Sequence, residues 1–439
     1  MIDSHELRRR DSYLNKLIGF QDTEPVKVIT GIRRCGKSSL LKLMVQHLKD
    51  TGVLPEQIIE MNFESFDFHK MSADDVYRYV KERIIAGKRM YLFFDELQRI
   101  KAWEDAVNAF RVDFDCDIYV TGSNAYLLSS EYATYLSGRC VEIKMLPLSF
   151  REFLDFHGFD VRETQSALGW LRKQVFDKNN ERYELREVFA AYMRFGGMPG
   201  IADVGLEQEK VLALLDGIYS TVVIRDILER ETRRGQKQIT DPALLRKIIL
   251  FLADNIGSSV SIASIGNTLV NEGLLDDGKR KGTPSAHTVQ AYVNALLESY
   301  FFYEIKRFDI KGKAYLRTLG KYYIVDIGLR NYLLGFRNRD SGHAIENVVY
   351  FELLRRGYDI AIGKIGNGEV DFIATTADEK KYIQVTESMM SEDVRKRELA
   401  PLQSIRDNYE KIVLSLEPGL DTSYDGIKSE NLIDWLLNE

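Results

Sequence analysis

The sequence predicts an α/β chain that opens on a parallel sheet, and three observations carry that prediction. A glycine-rich turn, GIRRCGKSS at Gly31–Ser39, stands between an apolar stretch, Val26–Thr30, and a run able to open a helix, Leu40–Val45. From Val26 to about Met145, short apolar stretches alternate with helical ones, the pattern of parallel strands covered by helices. Beyond Phe150 the pattern turns helical, and from about Gly342 it reads helix, strand, strand, strand, helix, strand.

The glycine-rich turn matches GxxxxGK[ST], and its flanks supply the strand–loop–helix order in which backbone N–H groups and a helix N-terminus surround phosphate oxygens. Gly31 and Gly36 permit turns that a side chain would block. Lys37 reaches the β- and γ-phosphates, and Ser38 offers a hydroxyl to Mg²⁺. The expected nucleotide contacts are Gly31, Arg34, Gly36, Lys37, Ser38 and Ser39, and the expected ligand is ATP.

The strands after the loop are expected at Ile58–Phe63, Met90–Phe94, Ile118–Thr121 and Cys140–Lys144. The second ends in Asp95 and Glu96. On a strand expected beside the loop strand, Asp95 holds the Mg²⁺ shell and Glu96 polarises the attacking water. Ile118–Thr121 leads into Gly122, Ser123 and Asn124, of which Ser123 or Asn124 senses the γ-phosphate. Transition-state charge calls for an arginine. Arg139 is the first candidate, with Arg33, Arg34 and Arg151 as alternatives.

Length and charge bound the rest. At 439 residues the chain exceeds one ordinary core, and its 45% hydrophobic content lets each of several domains bury its own. A net charge of −6 excludes a global field for polyanions, so nucleic-acid contact requires a local patch. Cys35, Cys116 and Cys140 are too scattered for a disulfide framework or a CxxC metal site. With no apolar N-terminal segment in MIDSHELRRR and no membrane-length apolar run, a soluble cytoplasmic protein is expected.

The boundaries expected are 1–149 for the nucleotide core, 150–235 for a helical lid punctuated by Phe195–Pro199, 236–336 for a winged helix-turn-helix, and 337–439 for a terminal α/β domain. The third rests on helical segments Leu244–Ala253, Ile262–Leu269 and Ser285–Leu297, followed by extended stretches Phe301–Ile305 and Lys321–Val325. Between those stretches Lys306, Arg307, Lys311, Lys313, Arg317 and Lys321 face a single acid, Asp309. Such a wing suits phosphate contacts through Lys306, Arg307, Lys311 and Lys313. The helix at Ser285–Ser299 offers His287, Gln290 and Asn294 but no lysine or arginine, which argues against sequence-specific duplex reading.

An ordered set of stretches resembles a bacterial and archaeal family of AAA+-like ATPases with a C-terminal domain of uncharacterised function. They are GIRRCGKSSLL from Gly31, FFDELQRI from Phe93, TGSNAYLL from Thr121, SGRCVEIKMLPLSFREF from Ser137, FGGMP from Phe195 and KYYIVDIGLRNYLLG from Lys321. The resemblance covers nearly the whole chain. It implies an ATPase core, a winged helix and a restriction-endonuclease-like terminal fold, and it names no substrate. In PD-(D/E)xK-type nucleases a helix glutamate, a strand aspartate and an acid-x-lysine pair bind Mg²⁺ and activate water. Glu346 and Asp371 match, whereas Gln384 and Thr386 stand where the second acid and the lysine belong. Lys364, Lys380 or Lys381 would have to replace the cation, and a catalytically degenerate domain is expected.

The function expected is a Mg²⁺-dependent ATPase that couples nucleotide state to a partner through its C-terminal domains, with an oligomer possible. The alternatives are an ATP-gated DNA-binding or nuclease-related protein and a non-hydrolysing switched scaffold.

Overall fold

The computed structural model describes residues 7–125, 138–165, 171–228, 239, 241–271, 284–337, 341–366, 368–417 and 422–438. The chain divides into two compact units, Met1–Leu146 with Glu298–Tyr300, and Pro147–Leu297 with Phe301–Glu439. Each is described separately.

The first unit opens with α1 (Asp11–Gly19), β1 (Val26–Thr30) and α2 (Lys37–Asp50). It continues through β2 (Ile58–Asn62), α3 (Ala73–Lys81), β3 (Met90–Asp95), α4 (Trp103–Asp113), β4 (Cys116–Gly122) and β5 (Cys140–Lys144). All strand pairings are parallel, in the order β2-β3-β4-β1-β5. Strands β1 and β3 are buried at every position, which is why they read as unbroken apolar runs. One face of the sheet packs Met61, Leu92, Phe94 and Val120 against Val76 and Val80 of α3 and Val107 and Phe110 of α4.

The strand order corrects one expectation. β3, which carries Asp95, is not beside the loop strand: β4 lies between them, paired to β1 on one side and β3 on the other. The polar end of β4 is thereby inserted between the loop and the acidic pair.

The second unit starts with α5 (Phe150–His157), whose first turn is closed by a reciprocal capping box of Ser149 and Glu152. Three antiparallel strands follow, β6 (Asp160–Gln165), β7 (Leu171–Phe176) and β8 (Arg182–Tyr183). These strands interrupt the span read as helical; their mixed polar sequences carry little apolar periodicity of either kind. Then come α6 (Leu185–Phe195), α7 (Ile201–Val204) and α8 (Gln208–Thr221), the last running into a π-helical segment, Val222–Leu228. The polar stretch 232–237 lies outside the described residues.

The expected helices are present as α9 (Pro242–Asp254), α10 (Ile262–Asn271) and α11 (Ala286–Glu298). Asp241 caps α9, with Pro242 in its first turn. After β9 (Ser259–Val260), the hairpin β10 (Phe302–Asp309) and β11 (Ala314–Ile324) leads to α12 (Ile327–Leu334) and α13 (Ser341–Arg355). The chain closes with β12 (Asp359–Ile365), β13 (Gly368–Thr375), β14 (Lys380–Ser388), α14 (Glu392–Gln403), β15 (Glu410–Glu417), β16 (Ser423–Tyr424), β17 (Ile427–Asn431) and α15 (Leu432–Leu437).

The hairpin is not a free-standing wing. β10 pairs in parallel with β12, so the strands form one sheet, β16-β17-β15-β14-β13-β12-β10-β11-β9. Asp326, at the start of α12, ties two of the sequence stretches together. One oxygen accepts the Gly197 N–H at 2.6 Å and the other accepts the Leu329 N–H at 3.1 Å. A Cβ on Gly196 would lie 2.3 Å from this carboxylate, and one on Gly328 2.0 Å from the Phe195 carbonyl oxygen, so both glycines are sterically required. Among the described residues no helix is long and apolar enough to cross a membrane.

Candidate active site at the carboxyl end of the parallel sheet

Gly31 leaves β1 with φ 141°, and a Cβ there would lie 2.1 Å from the Met145 carbonyl oxygen. Gly36, at φ 105°, is the residue from which α2 starts. These two positions bend the loop back over the helix N-terminus. Arg34 also takes a positive φ, 62°, and is exposed, as are Ser38 and Ser39. The buried Lys37 ammonium donates to the carbonyls of Gly31 at 2.9 Å and Ile32 at 3.0 Å, so it lies along the inside of the loop.

Asp95 and Glu96 stand at the end of β3, both buried. Asp95 accepts hydrogen bonds from the Asn62 amide at 3.0 Å and from the Thr121 hydroxyl, and the Ser38 hydroxyl lies close enough to lower its pKa. Burial raises its pKa above the usual carboxylate range, against the pull of the Thr121 and Ser38 hydroxyls. Glu96 adopts a left-handed backbone at φ 57° and ψ 42°, a strained conformation for a non-glycine residue. Its N–H donates to Thr121 Oγ1 at 3.0 Å. Its carboxylate accepts from Gln98 at 2.6 Å and from Ser123 Oγ at 3.3 Å, with Arg33 at 3.8 Å.

Thr121 therefore orients both acids at once, binding the side chain of Asp95 and the backbone of Glu96. From sequence, Thr121 is the end of an apolar strand and the first residue of TGSNAYLL, with no role of its own. The signal was a hydroxyl closing the run Ile118–Tyr119–Val120, although its target depends on β4 lying next to β3. Arg10 was also missed: it is buried and donates to the carbonyls of Cys35 at 3.0 Å and Leu146 at 2.8 Å, holding the loop from behind.

Ser123 and Asn124 are both buried, and it is Ser123 that reaches Glu96. Arg139 is exposed and precedes β5, and its carbonyl accepts from Val26 at the start of β1. Within its own chain it thus stands at the opposite edge of the sheet from the loop, five β1 residues or roughly 16 Å away. Arg33 reaches Glu64 at 3.2 Å as well as Glu96, while Arg151 pairs with Asp155 at 3.7 Å.

The donor set suits a hard cation. The Ser38 hydroxyl lies near the Asp95 carboxylate, and Mg²⁺ shared with substrate phosphates needs only one or two protein oxygens. Among the described residues no group of three or more His, Cys, Asp or Glu side chains is arranged to hold a metal by itself.

A family model for an AAA domain matches residues 23–154, and one for a domain of unknown function (DUF8612) matches residues 186–340. An uncharacterized protein of Haemophilus influenzae is 39% identical over 432 residues, 98% of each chain. The chain belongs to its family. A second uncharacterized relative in this AAA-domain family, from Methanocaldococcus jannaschii, is 30% identical over 95% of this chain and 85% of its own. Among solved structures, the Walker-type ATPase of Pyrococcus abyssi aligns with a TM-score of 0.47 and 16% identity over 74% of this chain and 95% of its own. AMPPCP-bound DnaA from Aquifex aeolicus aligns at 0.26 and 14% over 67% and 95%. Scores at this level carry no argument, and the assignment rests on the full-length relatives and the AAA domain.

The terminal constellation assembles differently from expectation. Glu346 on α13 is buried, and Asp371 on β13 is partly buried. Asp371 accepts the Val385 N–H at 2.9 Å, and its own N–H donates to Gln384 Oε1 at 3.4 Å. Gln384 Nε2 donates to Glu398 at 3.0 Å, and Thr386 is buried on the same strand. The cation here is none of the three lysines proposed from sequence. It is Lys321 of β11, 2.9 Å from both Glu346 and Glu369 and 3.9 Å from Asp371. Burial alone would lower the lysine's pKa, but the carboxylates of Glu346, Asp371 and Glu369 outweigh it and raise the value. Burial, joined by the charge of Glu346, pushes Asp371 upward.

Lys321 is consequently lost to the wing. Arg307 is also drawn inward, 3.7 Å from Glu369, whereas Lys306, Lys311 and Lys313 are exposed.

Proposed function

We propose that this AAA-domain protein is a Mg²⁺-dependent ATPase, and the observation that carries the reading is the glycine loop with Lys37 laid along its inside, on the same parallel sheet whose Thr121 orients Asp95 and Glu96. In this reading the loop N–H groups and Lys37 hold the triphosphate, and Ser38 and Asp95 would hold Mg²⁺, which would supply charge neutralisation of the phosphates. Glu96, with its carboxylate fixed by Gln98 and Ser123, accepts the proton of the attacking water. Arg33, 3.8 Å from Glu96, is placed to exchange that carboxylate for substrate phosphate. Arg139, remote from its own loop, serves the γ-phosphate of a neighbouring subunit.

We further propose that the helices and hairpin at 236–336 act as a winged helix, that 337–439 is a degenerate restriction-endonuclease-like domain, and that nucleotide state is relayed to a partner of these C-terminal segments in the cytoplasm. The basic residues Lys306, Lys311 and Lys313 support a second reading in which that partner is DNA. The test is nucleotide titration of wild type and Lys37→Ala. Loss of ATP binding in the variant supports the assignment, and unchanged binding refutes it.

A further inference from the structure

We infer that the tip and flank of the β10–β11 hairpin form a binding platform for single-stranded nucleic acid. The inference stands without the ATPase reading. Tyr315 is 63% exposed and Tyr409 is 51% exposed. They are the ends of a continuous row. Tyr315 packs edge-to-face on Phe308 at 5.2 Å. The Lys380 ammonium lies 6.0 Å from the Phe308 ring centre, 4.9 Å from Tyr382 and 5.2 Å from Tyr409.

Among the described residues Lys311, Lys313 and Lys380 have no carboxylate within ion-pair distance. The nearby acids are engaged elsewhere: Asp309 accepts the Lys311 and Gly312 N–H groups that close the turn, and Asp407 accepts from Tyr382 and pairs with Lys411. Glu379 is bound to Lys381 and Tyr358.

Exposed rings separated by cations fit a strand whose bases are unstacked and whose phosphates are spaced between them. A duplex keeps its bases inside and offers these rings nothing, and an acidic peptide uses the lysines but not the rings. Tyr315 and Tyr409 are thus stacking residues, and Lys311, Lys313 and Lys380 are phosphate contacts.

The test is anisotropy of labelled oligothymidylate, oligouridylate and a duplex of equal length, with the full chain and no nucleotide, over a salt series. Polyglutamate serves as the competitor. Single strands should bind more tightly than the duplex. Tyr315→Ala and Tyr409→Ala should each weaken them by about 5- to 150-fold, with Tyr→Phe variants close to wild type. Lys311→Gln with Lys313→Gln should flatten the salt dependence. Unchanged melting temperatures separate these effects from misfolding, since both tyrosines are exposed. Equal or tighter duplex binding, displacement by polyglutamate at matched charge, unaltered affinity in the alanine variants, or no binding at low salt would each overturn the inference. Because no nucleotide is present, none of these results depends on hydrolysis.

Discussion

The Lys321 ammonium lies 2.9 Å from Glu346 Oε1, joining strand β11 to helix α13 in the interior of the terminal sheet. The sequence counts Lys321 among the six basic residues of the hairpin, at the start of its second extended stretch. The fold instead makes it the internal cation of a cluster that also contains Glu369 and Asp371.

Removing that cation should be costly. Lys321→Met leaves buried carboxylates uncompensated and should destabilise the fold by about 3–5 kcal/mol. Denaturant unfolding of wild type and variant measures this. A loss below about 1 kcal/mol would show that the cluster does not depend on the lysine.

The same arrangement predicts no cleavage of DNA or RNA with Mg²⁺ or Mn²⁺. Gln384 withholds a metal-binding charge, Thr386 supplies no cation, and Lys321 is committed to the carboxylates. Nuclease assays of purified protein check it. Cleavage that vanishes in Asp371→Ala would reverse the conclusion.

Thr121 should matter to turnover more than to binding. Thr121→Val removes the hydroxyl that orients Asp95 and the Glu96 backbone, and a supporting contact of this kind is worth about 10- to 100-fold in activity. Thr121→Ser should recover most of the loss. Single-turnover hydrolysis beside nucleotide titration distinguishes this from a binding defect, which would appear as a matching fall in affinity.

Asp326 gives a pH signature. Full burial raises its pKa to about 6 against three backbone N–H hydrogen bonds that favour the anion. Because the folded value lies above the usual 3.8, the protonated form is favoured on folding. Its stabilising contribution is complete below pH 3.8 and is lost as pH rises through about 6. The size is about 3 kcal/mol for a shift of roughly two units. Between those limits the unfolding free energy of wild type should fall relative to that of Asp326→Asn as pH rises, and parallel curves would remove Asp326 as the titrating group.

How much of this was readable follows from the range of each interaction. Gly31–Ser39 announces itself because loop, lysine and hydroxyl are consecutive, and Asp95–Glu96 because a buried strand ends in two acids. β1 and β5 fall where apolar runs place them. The insertion of β4 between β1 and β3, the bridging role of Thr121 and the inward turn of Lys321 are pairings between distant segments, on which local periodicity is silent. The short strands β6–β8 escaped because little of their sequence alternates. FGGMP at Phe195 and DIGLRN at Asp326 were visible as separate stretches, but their shared carboxylate bridge required the fold.

The central claim, that Glu96 activates water at a nucleotide site built around Lys37, is tested most directly by steady-state phosphate release from wild type and Glu96→Gln at saturating ATP and Mg²⁺. The account predicts a variant that binds ATP within a few-fold of wild type and releases phosphate at least about 100-fold more slowly, in the range of a lost general base. Release at the wild-type rate by Glu96→Gln would contradict it.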